Sequence, residues 1–337
     1  MAATFEGIYK ELKQKKYAPI YLLQGEETFF IDKLVDYIEK SVLSDAEKSF
    51  NQMVMYGKDT DAETLMNTAR RYPMMSKYQV VILKEAQQMR DLLKLESYVK
   101  NPSKSTILVL AHKYKTVRGN TKLGKAIAKN GIVFSSKKLY ENQVPAWIQR
   151  YVKSKKYDIQ MKAMQLLIEY LGTELSRITN ELDKLMLNVP TGTLINEQHI
   201  SDNIGISKDY NVFELQKALA QNNITKAYKI ADYYSKNPKA GPLPLLLGSL
   251  YRFFSRLYLY HHIRTQSERD VLQAMGFRTR FQLQDYQAAV RHFSLAKTKK
   301  AVELLYTYDL KSKGIGNVGT AQEELIREMV VRLAHGV

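Results

Sequence analysis

Two hydrophobic periods alternate through the first 140 residues. Residues 5–16 set Phe5, Ile8, Tyr9 and Leu12 on one helical face. Pro19 then leads into Ile20-Tyr21-Leu22-Leu23, a short apolar run closed by Gly25, which predicts a buried strand. Ile31, Leu34, Val35, Ile38 and Val42 restore the helical spacing. Met53-Val54-Met55-Tyr56 is strand-like and Gly57 ends it. Helical segments over 61–71, 91–100 and 121–129 alternate with apolar strands at Gln79–Leu83, Thr106–Leu110 and Ile132–Phe134. Strands alternating with helices predict a parallel sheet covered on both faces.

After Leu139 the strand signals stop. Val144, Trp147, Ile148 and Tyr151 share a helical face; Met164, Leu167, Ile168 and Leu171 make the next, with Gly172 as a cap. Leu175, Ile178, Leu182, Leu185 and Met186 form a third, and Asn196 caps a short helix over 196–204. From Asn211 onward the chain reads as helices over 212–220, 224–236, 243–265, 268–275, 282–293, 297–312 and 320–334, punctuated by Pro238 and Gly241-Pro242. Three domains follow: an α/β domain over 1–140, a small helical domain over 141–207 and a larger all-helical domain over 208–337.

Charge sharpens this division. The net charge is +17, but residues 1–140 carry 24 Lys/Arg against 15 Asp/Glu, 141–207 carry 7 against 8, and 208–337 carry 20 against 11. A basic excess confined to the two outer segments points to a polyanion or an acidic protein partner, or else to lysines that only keep the surface soluble. There are no cysteines, which excludes disulfides, thiolate zinc sites and a cysteine nucleophile. The start, Met1-Ala2-Ala3-Thr4-Phe5-Glu6, lacks the basic and apolar runs of a signal peptide. No stretch approaches a membrane span, and a cytoplasmic location is expected.

Candidate chemistry is sparse. The six histidines are scattered, and adjacent His261 and His262 face different directions on a helix, so no metal site is expected. Glu26-Glu27 and Glu323-Glu324 read as solvated acids. Gly119-Asn120-Thr121-Lys122-Leu123-Gly124-Lys125 has phosphate-loop spacing, but Ala126 stands where a Ser or Thr should hold magnesium. The place for a phosphate in such a fold is after the first strand, at Gly25, and two acids follow it there. The basic loop with Lys113, Tyr114, Lys115, Arg118 and Lys122, and Arg278 and Arg280 beyond Gly276, are candidate phosphate contacts. The rings of Tyr251 to Tyr260 lie at helical spacing and read as core. One turn stands out. Pro73-Met74-Met75-Ser76 sets two unbranched apolar side chains among charged neighbours, just after a proline that stops a helix. Either both methionines fold under as gap-fillers, or the turn docks on another molecule.

Four stretches in order carry a family resemblance. They are Ile20 to Glu27; Pro73-Met74-Met75-Ser76 followed by Gln79 to Leu83; Leu171-Gly172 with Asn180-Glu181-Leu182-Asp183-Lys184-Leu185; and Asn211-Val212-Phe213-Glu214-Leu215 with the helix from Pro242 to Leu259. Together they resemble the delta subunit of the bacterial DNA polymerase III clamp loader. The resemblance implies an AAA+-like α/β domain without a working nucleotide site, a helical lid domain and an all-α collar domain. It implies a non-catalytic subunit of the DNA polymerase III holoenzyme, without a cofactor. Its expected partners are the sliding clamp (the beta subunit), ATPase subunits of a hetero-pentamer, and primer–template DNA in the nucleoid. Carried over, Met74 and Met75, flanked by Pro73 and Ser76, are the clamp-binding residues, although the family often has Leu or Phe there. Two other classes stay open: a nucleotide-dependent switch built on 119–125, and a stand-alone DNA-binding module.

Overall fold

The computed structural model describes residues 3–204, 210–237, 241–277, 280–317 and 319–336, the side chains of Glu169 and Phe281 excepted. The chain divides into two units, Met1–Leu139 and Tyr140–Val337.

The first unit is built on five parallel strands: β1 (Ile20–Gly25), β2 (Gln52–Tyr56), β3 (Gln79–Lys84), β4 (Thr106–Lys113) and β5 (Ile132–Ser136). Their order in the sheet is β2-β3-β4-β1-β5. Register is fixed by pairs such as Leu22 with Leu110, Leu22 with Val133, Val81 with Leu108, and Val54 with Ile82. The central strands read as continuous apolar runs because both faces are covered. Ile20, Leu22, Leu108 and Leu110 enter one core, shared with Leu65 and Ala69 of α4 (Ala62–Ala69), Tyr98 and Val99 of α5 (Glu96–Val99), and Leu123 and Ile127 of α6 (Lys122–Asn130). Tyr21, Leu23, Ile107 and Val109 enter the opposite core, with Ile8 and Leu12 of α1 (Phe5–Lys13) and Ile31, Leu34, Val35 and Ile38 of α2 (Thr28–Ser41). The expected α/β domain with a parallel sheet is therefore present.

Two local features depart from the periodicity. The helix expected over 91–100 begins as a 3₁₀ turn, Leu92–Leu95, and becomes α only at α5. A short helix, α3 (Asp45–Asn51), fills the interval before β2. Seven residues make too few turns for a hydrophobic period, yet Ser44 and Glu47 form a capping box at its start.

The second unit is helical: α7 (Val144–Ser154), α8 (Met161–Leu171), α9 (Leu175–Leu187), α10 (Glu197–Ile204), α11 (Val212–Ala220), α12 (Ile224–Lys236), α13 (Leu243–Ile263), α14 (Glu268–Met275), α15 (Gln284–Ala289), α16 (Leu295–Ser312) and α17 (Gln322–Ala334). Gly172 ends α8 at φ 73°, the left-handed region where glycine has no steric penalty. The strand signals do not stop entirely after Leu139, as expected above. Asp158–Ile159 and Leu194–Ile195 pair as a two-residue parallel ribbon, too short to show a period of two. A continuous core joins Val212 of α11 to Leu333 of α17. It takes in Phe253, Phe254, Leu257 and Tyr260 of α13, as their spacing predicted, while Tyr251 and Tyr258 stay exposed. Pro238 lies outside the described residues.

Candidate functional site

The methionine turn leaves α4 and enters β3. Of the two readings open in the sequence, burial is not what the structure has: Met74 is 62% and Met75 105% exposed, and Tyr72 beside them is 86% exposed. Pro73 and Ser76 are half-buried. Met75 sits at φ 53°, a left-handed conformation that costs a side-chain-bearing residue on the order of 1 kcal/mol. Such a conformation persists only where the surroundings hold it.

The holding group is Asn51, at the end of α3 and 2% exposed. Its Oδ1 accepts from the Met74 N–H at 2.6 Å, and its Nδ2 donates to the Met74 carbonyl at 2.9 Å. The second Nδ2 hydrogen goes to the Glu47 carbonyl at 3.1 Å. One buried amide therefore grips both polar groups of one residue in the turn. Glu47 adds a second tie. Its carboxylate accepts from the Ser44 hydroxyl at 2.7 Å and the Ser44 N–H at 2.9 Å, and the Ser76 hydroxyl adds to the stabilisation of its charge. These bonds favour the charged form and hold the Glu47 carboxyl down at about 2. On the far side, Tyr78 meets Tyr17 edge-on with ring centres 5.5 Å apart, and Gln79 Nε2 donates to the Thr68 carbonyl at 2.6 Å. Periodicity does not reveal α3, Asn51 or the exposed Phe50 (72%) beside it; the Ser44-x-x-Glu47 signature is the signal that would have found them.

After β1, where the sequence set the place for a phosphate, the chain makes its own contacts. Glu27 is buried, not solvated as expected, and its carboxylate caps α2 by accepting from the Phe29 N–H at 3.2 Å. Gly25, at φ 123°, packs so closely that a Cβ there would meet the Ser136 carbonyl oxygen at 2.1 Å. Gln24 Oε1 accepts from the Val117 N–H at 2.7 Å and its Nε2 donates to Ser135 Oγ at 3.0 Å. In the segment with phosphate-loop spacing, Thr121 caps α6 and already takes the Gly124 N–H at 3.0 Å.

The basic candidates divide. Lys113 Nζ is paired with Asp32 at 2.7 Å, whereas Lys115, Arg118 and Lys122 are exposed. Arg280 is exposed, with Glu268 at 3.5 Å; Arg278 lies outside the described residues. His112 is buried, its Nδ1 at 2.9 Å from the Lys115 carbonyl, and so braces this loop. Among the described residues, no cluster of three or more His, Asp or Glu side chains is arranged to hold a metal ion, and no helix is long and apolar enough to cross a membrane.

Comparison with known proteins bears on this geometry. The family model for the DNA polymerase III delta subunit matches residues 21–137, a stretch that takes in the sheet from Tyr21 of β1 onward, and the turn. The DNA polymerase III subunit delta of Bacillus subtilis (strain 168) is 23% identical over 256 residues, covering 73% of this chain and 74% of that protein. The solved structure of the Bacillus subtilis DNA clamp loader delta protein matches with a TM-score of 0.58 at 20% identity, over 98% of this chain and 100% of that one. In family match, in sequence and in fold, the chain resembles the delta subunit of the bacterial DNA polymerase III clamp loader.

Proposed function

We propose that this chain is the clamp-contacting subunit of a DNA polymerase III clamp loader. The observation that carries the reading is the exposure of Met74 and Met75 on a turn whose backbone is fixed from below. Two apolar side chains held in water by a pinned backbone have little value to the fold. Buried in a pocket of the sliding clamp, they would contribute on the order of 3–6 kcal/mol gross, less the cost of association. Ring opening needs one more condition: the contacts must fit the open clamp better than the closed one, because equal contacts shift nothing.

ATP binding and hydrolysis fall to partner subunits of the hetero-pentamer. The Glu27 carboxylate at the start of α2, and the Gly25 backbone against Ser136, support that division, since they use the space and the amides a phosphate needs. The self-contained core from Val212 to Leu333 supports a collar domain in the last third, with α7 to α10 as the lid. The exposure of Lys115, Arg118 and Lys122 in the first unit, and of Arg280 in the second, supports each as a candidate contact for primer–template DNA; Lys113 contributes less, being held by Asp32. The test is a titration of the purified chain against its cognate clamp carrying a fluorophore pair across one subunit interface. Binding with separation of the pair is the expected result. A chain that binds DNA tightly alone but ignores the clamp would overturn the proposal in favour of a DNA-binding module.

A further inference from the structure

We propose that Asn51 is a positioning residue for docking, and that the far end of α3 works as a clip presetting the methionine turn. The inference rests on the turn being the docking element and adds how its shape is made. Four observations carry it. The Asn51 amide is buried, and three of its four hydrogen-bonding positions are used, two of them on Met74. The opposite amide orientation would set like groups against each other at each contact, so the arrangement is unique. The next residue, Met75, holds a left-handed backbone that a free loop would seldom visit. The Glu47 carbonyl, one turn earlier on the same helix, takes the second Asn51 Nδ2 hydrogen and so fixes the amide itself. The grip on Met74 therefore sets the backbone beside the strained residue and leaves the Met75 side chain wholly in solvent. A loop already in its bound shape does not have to be ordered on association.

Asn51 thus acts through the turn and needs no contact with the partner. The experiment compares the full-length chain with Asn51→Ala, Met75→Ala and the combined variant, each titrated against the purified clamp. Thermal melting and the amide exchange rate of Met74 are recorded alongside. Asn51→Ala is expected to weaken clamp binding about tenfold and to speed Met74 exchange by at least as much. In the Met75→Ala background the further loss should be clearly smaller, because a looser turn matters less once its anchor is gone. If Asn51→Ala folds poorly, Asn51→Ser replaces it. That variant keeps one small polar group beside the turn, cannot grip both polar groups of Met74 at once, and should fall between the two. Wild-type affinity in Asn51→Ala, beside lost affinity in Met75→Ala, would overturn the clip and leave the docking surface standing. Fully multiplicative losses would also overturn it. Unchanged binding in Met75→Ala would remove the docking reading itself, and the clip with it.

Discussion

At the scale of single residues, the same physics separates two kinds of special position. Met75 bears a side chain in a left-handed conformation because neighbours hold it there. Gly25, at φ 123°, is a position that admits no side chain, because the β1–β5 pairing brings the Ser136 carbonyl against it. Gly25→Ala should cost about 3 kcal/mol of stability, measured as a drop in the urea midpoint of the first unit. Phe50 is a quieter case. It is exposed next to the residue that holds the turn, so Phe50→Ala should leave melting within about 0.5 kcal/mol of the parent. The sequence announced Met74 and Met75 by their oddity but left their burial open. Exposure is decided by what a segment packs against, and no single run of residues encodes that. Asn51 was illegible for the same reason: Met74, the residue it holds, lies 23 residues away.

At the scale of elements, legibility followed length. The apolar runs of β1, β3 and β4 and the long faces of α2, α9 and α13 are plain in the sequence, since burial on both faces, or along one stripe, fixes the pattern. Three short elements are not: α3, the 3₁₀ turn before α5 and the ribbon of Asp158–Ile159 with Leu194–Ile195 carry less than two periods. Yet α3 is the element that shapes the candidate site. Its capping box also gives the turn a pH dependence. Glu47 has its pKa lowered from 4.5 to about 2 by bonds from Ser44 and Ser76. A depressed carboxylate stabilises the fold above its unfolded pKa and loses that contribution as pH falls through the folded one. Exchange protection of the α3 amides should therefore be flat above about pH 5 and decline from there toward pH 2. Glu47→Gln should abolish the decline.

At the scale of the whole molecule, the charge balance and the site agree. The turn is rimmed by exposed Arg70, Arg71 and Lys77, the last with its ammonium over the Tyr78 ring. Association with an acidic-rimmed pocket should slow several-fold between low and high salt while the dissociation rate changes little, as stopped-flow mixing would show. In the second unit, burial holds the pKa of His261 below the usual histidine range, against the raising effect of its bond to the Phe293 carbonyl. The folded form then prefers neutral His261, so stability is full above the unfolded pKa of 6.5 and falls as pH drops below it. Melting of the chain between pH 7.5 and 5.5 should show that decline, and His261→Gln should flatten it. The boundary near residue 140 was legible because charge and period change together there.

Binding of the parent chain and of Met74→Ala/Met75→Ala to the cognate sliding clamp, with melting curves alongside, tests the docking turn most directly. The expected result is a loss of about 30-fold or more in affinity, roughly 2 kcal/mol, with an unchanged melting temperature. Equal affinity in the two proteins would contradict it.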